Sequence, residues 1–80
     1  MNNKDLATAF VLINAELGKE AEVLDELKDI KDVIEANMVY GVYDIVAQVE
    51  SETMMELKVT INSRIRRLNN VRSTLTMVVI

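Results

Sequence analysis

Asp44 is a carboxylate at the start of an almost wholly apolar run, IVAQV, and it directly follows Gly41, Val42 and Tyr43. A run of valine, isoleucine and alanine on both faces is typical of a central strand that is covered on both sides. Gly41 takes a positive φ without steric cost, so it suits a tight turn before this strand. A carboxylate at the rim of a buried strand needs a partner, which is either a bound ligand or the amides of the turn itself.

Asp44, Glu35 and Tyr43 are the candidates for acid–base catalysis, because the chain contains no histidine and no cysteine. Histidine is the commonest general base, and no second carboxylate has a spacing that pairs it with Asp44. We therefore predict that the protein is not an enzyme. We also expect neither a metal nor a cofactor, since the commonest metal ligand is missing.

Hydrophobic periodicity identifies the elements that position these residues. Alternating or continuous apolar runs predict strands over residues 6–17, 33–40, 43–50 and 71–80. Apolar spacings of three and four predict helices over residues 19–30 and 51–68, and Thr53 and Glu56 have the spacing of a capping box. Arg64, Arg66 and Arg67 crowd the end of the second helix, where they either complement the helix dipole or bind an anion.

The order strand, helix, strand, strand, helix, strand predicts an α+β fold of the ferredoxin-like βαββαβ type. This fold has a four-stranded antiparallel sheet with both helices on one face, and its first and third strands form the central pair. The other face of the sheet would stay uncovered, and a large exposed apolar patch indicates an interface. We therefore expect a single domain, residues 1–80, that dimerises through the sheet with twofold symmetry.

The composition also indicates self-association. A chain of 80 residues has a marginal core of its own, and without cysteine it has no disulfide to support it, so self-association is expected. The net charge of −4 argues against direct contact with nucleic acid. The polar start, MNNKD, is not a signal peptide, and no apolar run is long enough to span a bilayer. These features predict a cytoplasmic protein with no membrane partner.

Two segments resemble the effector-binding domain of the Lrp/AsnC transcription regulators, often called RAM. The segment GVYDIVAQV, residues 41–49, is similar to the family's G-x-Y-D-hydrophobic block, and VRSTLTMVVI, residues 71–80, is similar to its closing strand. The resemblance extends over residues 6–80. The regulators also carry an amino-terminal helix-turn-helix, for which this chain has no room, so it resembles a stand-alone version of the domain.

The resemblance implies a dimer that assembles further into octamers or decamers and binds a free amino acid in clefts between dimers. Carried over position by position, it implies the following ligand-binding residues: Gly41, Tyr43, Asp44, Met54, Ser73, Thr74 and Thr76. An amino acid is a zwitterion, and Asp44 could accept from its ammonium while the hydroxyls and the amides near Gly41 donate to its carboxylate.

The resemblance thus implies an amino-acid-binding effector domain that modulates transcription of amino-acid metabolism through ligand-dependent assembly, without binding DNA itself. The alternative is a structural subunit that co-assembles with full-length Lrp/AsnC regulators and senses no ligand. Five of these candidate residues also have a structural interpretation. Asp44 could cap the turn amides, Thr74 and Thr76 could be ordinary strand residues, Met54 could belong to the core, and Tyr43 could pack at an interface.

Overall fold

The computed structural model describes residues 5–80, which form one four-stranded antiparallel sheet and two helices. The bounds of the elements, in chain order, are β1 Ala7–Ala15, α1 Glu20–Lys28, β2 Val33–Met38, β3 Ile45–Ser51, α2 Met54–Val59 with a π-helical continuation Thr60–Ile65, and β4 Val71–Val78. The predicted order of elements and the ferredoxin-like α+β architecture are confirmed.

The strand order across the sheet is β2-β3-β1-β4, so β1 and β3 are the central pair, as the apolar pattern predicts. All neighbouring strands are antiparallel, and the pairing of β1 with β3 runs from Ala7 opposite Ser51 to Ile13 opposite Ile45. β1 also pairs with β4, and that register shifts between Asn14 and Ala15. This irregularity interrupts the ladder at the end of β1 that lies beside Asp44.

The core lies between the sheet and the helices. On β1 and β3 the alternation of side chains sends one set of residues into this core, where they have 5% or less of their surface exposed: Ala9, Val11, Ile13, Ala15, Ile45, Ala47 and Val49. Val23 and Leu27 from α1 and Leu57 from α2 cover them. The helical stripes predicted from sequence are therefore the faces that contact the sheet, except at Met54, which is exposed and does not belong to the core.

The second helix differs from the prediction of one α-helix over residues 51–68. Ser51 is the last residue of β3, and the helix begins at Met54 because Thr53 Oγ1 accepts a hydrogen bond from the Glu56 amide at 3.1 Å. This is the side-chain cap that the spacing of Thr53 and Glu56 predicts. From Thr60 the helix widens into a π-helical segment that ends at Ile65.

No other part of residues 5–80 covers the face of the sheet opposite the helices. The side chains opposite one another on this open face are Phe10 with Met77 and Gln48, and Leu12 with Leu75 and Val46. Phe10, Leu75 and Met77 are classed as exposed. The register thus decides which of the two apolar sets of β1 is left without a partner in the subunit.

Candidate functional site

Asp44 lies between the Gly41 turn and β3, where its backbone and side chain both bind the end of β1. Its amide donates to the Ile13 carbonyl, and its Oδ2 accepts a hydrogen bond from the Ala15 amide, each at 2.9 Å. Ala15 stands at the register shift between β1 and β4, so its amide needs a partner outside the regular ladder. Asp44 therefore has a structural role, but the amide it binds belongs to the end of β1 and not to the Gly41 turn. This role leaves its Oδ1 without a hydrogen bond from residues 5–80.

The Gly41 turn projects an apolar surface. Gly41 has φ +138°, a backbone conformation that favours glycine, so the residue type is required by the turn. Tyr40 and Val42 on either side are almost fully exposed, at 106% and 84%, whereas Tyr43 is half-buried. An exposed tyrosine and valine at the tip of a small domain are available for contact with a ligand or with another subunit.

The hydroxyl residues of β4 lie on two faces of the sheet. Thr74 and Thr76 are opposite Ile13 and Val11, so they share the helix-side face, where Thr74 is half-buried and Thr76 exposed. Ser73 is opposite Asn14 on the open face, and its Oγ accepts a hydrogen bond from the Asn14 Nδ2 at 3.4 Å. Because Ile13 also accepts from the Asp44 amide, Thr74 lies at the same end of the sheet as Asp44.

Met54 lies at the other end of the sheet. β3 begins one residue after Asp44 and ends at Ser51, shortly before Met54. Its six steps at about 3.3 Å per residue separate its two ends by roughly 20 Å. A single subunit therefore brings Gly41, Tyr43, Asp44 and Thr74 to one end and does not bring Met54 to them.

A polar cluster that the sequence analysis did not single out lies near Met54. Asp32, which follows α1, accepts at its Oδ2 from the Ser51 hydroxyl at 2.7 Å and from the Thr60 hydroxyl at 2.9 Å. Ser51 and Thr60 are buried, with 4% and 6% of their surfaces exposed. The one signal in the sequence is a hydroxyl on the apolar stripe of the second helix, at Thr60 between Leu57 and Ile61. The cluster joins the α1–β2 loop, the end of β3 and the second helix.

The Ser51 hydrogen bond is the main reason that the pKa of Asp32 lies below its ordinary value of 3.8. The Thr60 hydroxyl and the positive charges of Lys31 and Arg64 lower this pKa further, and partial desolvation opposes them. The carboxylate of Asp32 is therefore held in its ionised form and in one orientation.

The arginines at the end of the second helix do not form one cluster, and Arg66 lines a depression with Ser73 and Thr74 at the end of the sheet where Asp44 lies. Arg66 Nη1 donates to Asn62 Oδ1 at 3.1 Å along the helix surface, and Arg64 lies beside Asp32. Among residues 5–80, no group of three or more acidic, cysteine or histidine residues could hold a metal ion. Within the same part of the chain, no helix has the length and apolarity to cross a membrane.

Comparison with known proteins agrees with this geometry. The sequence profile described as "Lrp/AsnC ligand binding domain" matches residues 8–80. An uncharacterized HTH-type transcriptional regulator of Pyrococcus abyssi is 33% identical over 70 residues, which is 88% of this chain and 44% of that protein. The chain thus spans less than half the length of this curated relative.

Solved structures show the same fold. The crystal structure of FFRP-DM1 is similar with a TM-score of 0.89 and 39% identity, over 92% of this chain and 99% of that one. The complex of the transcriptional regulator NMB0573 from Neisseria meningitidis with L-Met has a TM-score of 0.80 at 14% identity, over 92% of this chain and 49% of that one, and at this identity it shows the fold alone. The matched profile covers nearly the whole chain, and the chain therefore belongs to the Lrp/AsnC family, whose ligand-binding domain it carries.

Proposed function

We propose that this domain binds a free amino acid in clefts between dimers and that binding shifts its assembly, by which it modulates transcription of amino-acid metabolism in the cytoplasm. The observation that carries the proposal is the half-buried carboxylate of Asp44, which lies at the same end of the sheet as Thr74 and the exposed Gly41 turn. Its Oδ1 accepts no hydrogen bond from residues 5–80, so it could accept one from the ammonium group of the ligand.

The family supports a binding function over a catalytic one. Its members are transcription regulators with a ligand-binding domain, not enzymes, and this membership confirms the prediction that the chain is not an enzyme. Lrp/AsnC proteins bind small-molecule effectors and form oligomers. The regulator from Neisseria meningitidis that shares this fold was crystallised with L-Met, which makes an amino acid the ligand class to test first.

The positions of Met54 and Asp44 support a site between subunits. They lie at opposite ends of β3, roughly 20 Å apart on the strand geometry. If both contact one amino acid, Met54 must come from a different subunit than Asp44, Gly41 and Tyr43. A ligand that touches two dimers binds only the assembled state, so it would favour octamers or decamers over free dimers.

The apolar open face of the sheet supports the proposal that the domain forms a dimer. Phe10, Leu12, Leu75 and Met77 form a continuous apolar patch on β1 and β4, and Val46 extends it onto β3. A small domain with such a patch gains stability when a second copy covers it. A face-to-face pair of sheets is the arrangement that buries this patch symmetrically.

We also propose that this domain does not itself bind DNA. The chain has a net charge of −4, whereas contact with phosphates requires a concentration of positive charge. A mobility-shift titration with duplex DNA at low salt is expected to give no complex at micromolar protein, and a salt-dependent complex would contradict this part of the proposal.

Thermal unfolding against the twenty amino acids at millimolar concentration tests the proposed function. A ligand at a hundred times its dissociation constant should add about 2.7 kcal/mol to the free energy of unfolding. Asp44→Asn is the sharpest variant, because its amide oxygen can still accept from the Ala15 amide while the negative charge is lost. We expect one or a few amino acids to stabilise the wild type and Asp44→Asn to lose most of that stabilisation.

The second candidate function is that of a subunit that co-assembles with full-length Lrp/AsnC regulators without sensing a ligand. The bond from the Ala15 amide favours it, because Asp44 then has a structural reason to be present without any effector. A flat amino-acid panel together with mixed oligomers in native mass spectrometry, after co-expression with such a regulator, would favour this candidate over the sensor.

A further inference from the structure

A groove lies between the α1–β2 loop and the second helix, on the helix side of the molecule. Its volume is about 260 Å³, close to the lower end of pockets that hold small molecules. Ile30 and Val59 give it an apolar wall, and Asp32 and Thr60 line it as a hydrogen-bonded pair. The groove is built entirely from one subunit.

Four charged side chains line this groove, two of each sign. The cations are Lys31 and Arg64, and the carboxylates are those of Asp32 and Glu56. The only ion pair found among residues 5–80 joins Lys19 to Glu22, so neither Lys31 nor Arg64 is paired within that part of the chain. The two cations are close enough to Asp32 to lower its pKa, which shows that the charges belong to one neighbourhood.

Asp32 is preorganised within the groove. Both hydroxyl donors, Ser51 and Thr60, bind its Oδ2, and they fix the carboxylate from the buried side. No residue in the range 5–80 donates a hydrogen bond to its Oδ1. A carboxylate that is held rigidly by one oxygen can offer the other to a ligand with little loss of side-chain entropy.

The charge balance selects the class of ligand. A simple anion would meet two carboxylates, and a simple cation would meet two positive side chains, so both would be partly repelled. A zwitterion can place its ammonium at Asp32 and its carboxylate at Arg64 and Lys31.

We infer that this groove is a second binding site, within a single subunit, for an apolar α-amino acid whose side chain packs on Ile30 and Val59. The inference goes beyond the proposed function, because it needs neither Asp44 nor a neighbouring dimer. It would allow each subunit to bind a ligand at the helix end of β3 as well as at the turn end.

Methyl NMR of the full chain, labelled at isoleucine and valine, tests the inference, since Ile30 and Val59 report on the groove and Val42 reports on the Gly41 turn. The probes are L-alanine, L-valine and L-methionine, each titrated to millimolar concentration. N-acetyl-L-methionine and L-methioninamide are the matched controls, because each lacks one charge of the zwitterion. We expect at least one of the three amino acids to move the Ile30 and Val59 resonances saturably, and neither control compound to do so.

Two charge variants sharpen the test. Arg64→Gln should weaken binding at the groove by about tenfold or more, as expected for the loss of a charged hydrogen bond. Arg67→Gln is the control, because Arg67 is an exposed arginine of the same region that does not line the groove. Equal affinity of wild type and Arg64→Gln, or movement of Ile30 and Val59 by a control compound, would contradict the inference.

The results of the NMR titrations distinguish the groove from the proposed cleft between dimers. Movement of Val42 alone would overturn the groove and leave the proposed function standing. Movement of Ile30 and Val59 that persists in Asp44→Asn would support the groove, whether or not the Gly41 turn responds. If none of the three amino acids moves Ile30 and Val59, the groove is not an amino-acid site.

Discussion

Asp32 and Asp44 are half-buried carboxylates with different donors, and the difference decides what each can do. Asp44 accepts from a backbone amide at an irregular point of the ladder, whereas Asp32 accepts from two buried hydroxyls. A backbone amide without a partner is costly, so Asp44 stabilises the junction between β1 and the Gly41 turn. Asp32 instead ties three elements together through side chains.

The stability of the protein should depend on the ionisation of Asp32. Its pKa is below 3.8 in the folded protein and returns to the ordinary value on unfolding, so its contribution is present above pH 3.8 and is lost as the pH falls through the folded value. Urea unfolding of the wild type and Asp32→Asn at a series of pH values tests this. The wild type should be more stable near neutral pH, and the difference should shrink below pH 3.8. A difference that is constant with pH would contradict the assignment.

Asp44→Ala should destabilise the fold by about 1–2 kcal/mol, because it leaves the Ala15 amide without its hydrogen-bond acceptor. Asp44→Asn should cost clearly less, since an amide oxygen remains at nearly the same place. The free energy of unfolding of both variants, measured in urea without ligand, provides the comparison. Equal losses would show that the charge of Asp44, and not its acceptor, stabilises the native state.

Local sequence patterns predict the strands more accurately than they predict the second helix. The alternation of β1 separates Val11 and Ile13 from Phe10, and the structure places the first two in the core and Phe10 on the other face. The apolar spacing of residues 54–68 also identifies a helix, and Thr53 caps it as predicted. The π-helical segment from Thr60 has no comparable signal, because a wider turn changes the hydrogen bonding without interrupting the apolar spacing.

Gly41→Ala tests the turn between β2 and β3. Nothing lies within 4 Å of the position a Cβ would occupy, so the whole cost comes from the backbone at φ +138°. We expect a loss of about 1 kcal/mol in the free energy of unfolding. Val42→Ala is the matched control in the same turn, since Val42 has no positive φ and is largely exposed. A loss no greater than that of the control would mean that the turn adapts to a new φ.

At the scale of the whole molecule, the open face of the sheet is the apolar surface that a single subunit does not cover. The helices cover one face, and the apolar residues on the other have no partner among residues 5–80. A dimer through this face is also the basis on which clefts between dimers could form. The oligomeric state therefore connects the stability of the chain to the proposed function.

Phe10→Glu should raise the dissociation constant of the proposed dimer by at least about tenfold, because it would place an unpaired charge in the centre of the proposed interface. Sedimentation over a range of protein concentrations would measure it, with circular dichroism to confirm that the subunit stays folded. Met55→Glu is the control, because Met55 is an exposed apolar residue of α2, on the other side of the sheet. An unchanged dimer in Phe10→Glu would place the interface elsewhere.

The sequence by itself determined the order of the elements, the two alternating sets of residues on each central strand and the turn at Gly41, because these follow from side-chain periodicity and from the steric freedom of one residue. Which set faces the helices was decided by the tertiary structure. It also identified Asp44, Thr74 and Met54 as candidates. Local spacing could not show that Met54 lies at the opposite end of the sheet from the other two. Only the tertiary structure joined Asp32 to Ser51 and Thr60, which are 19 and 28 residues away. Such contacts depend on how the helices pack on the sheet, and packing has no period that can be read along the chain.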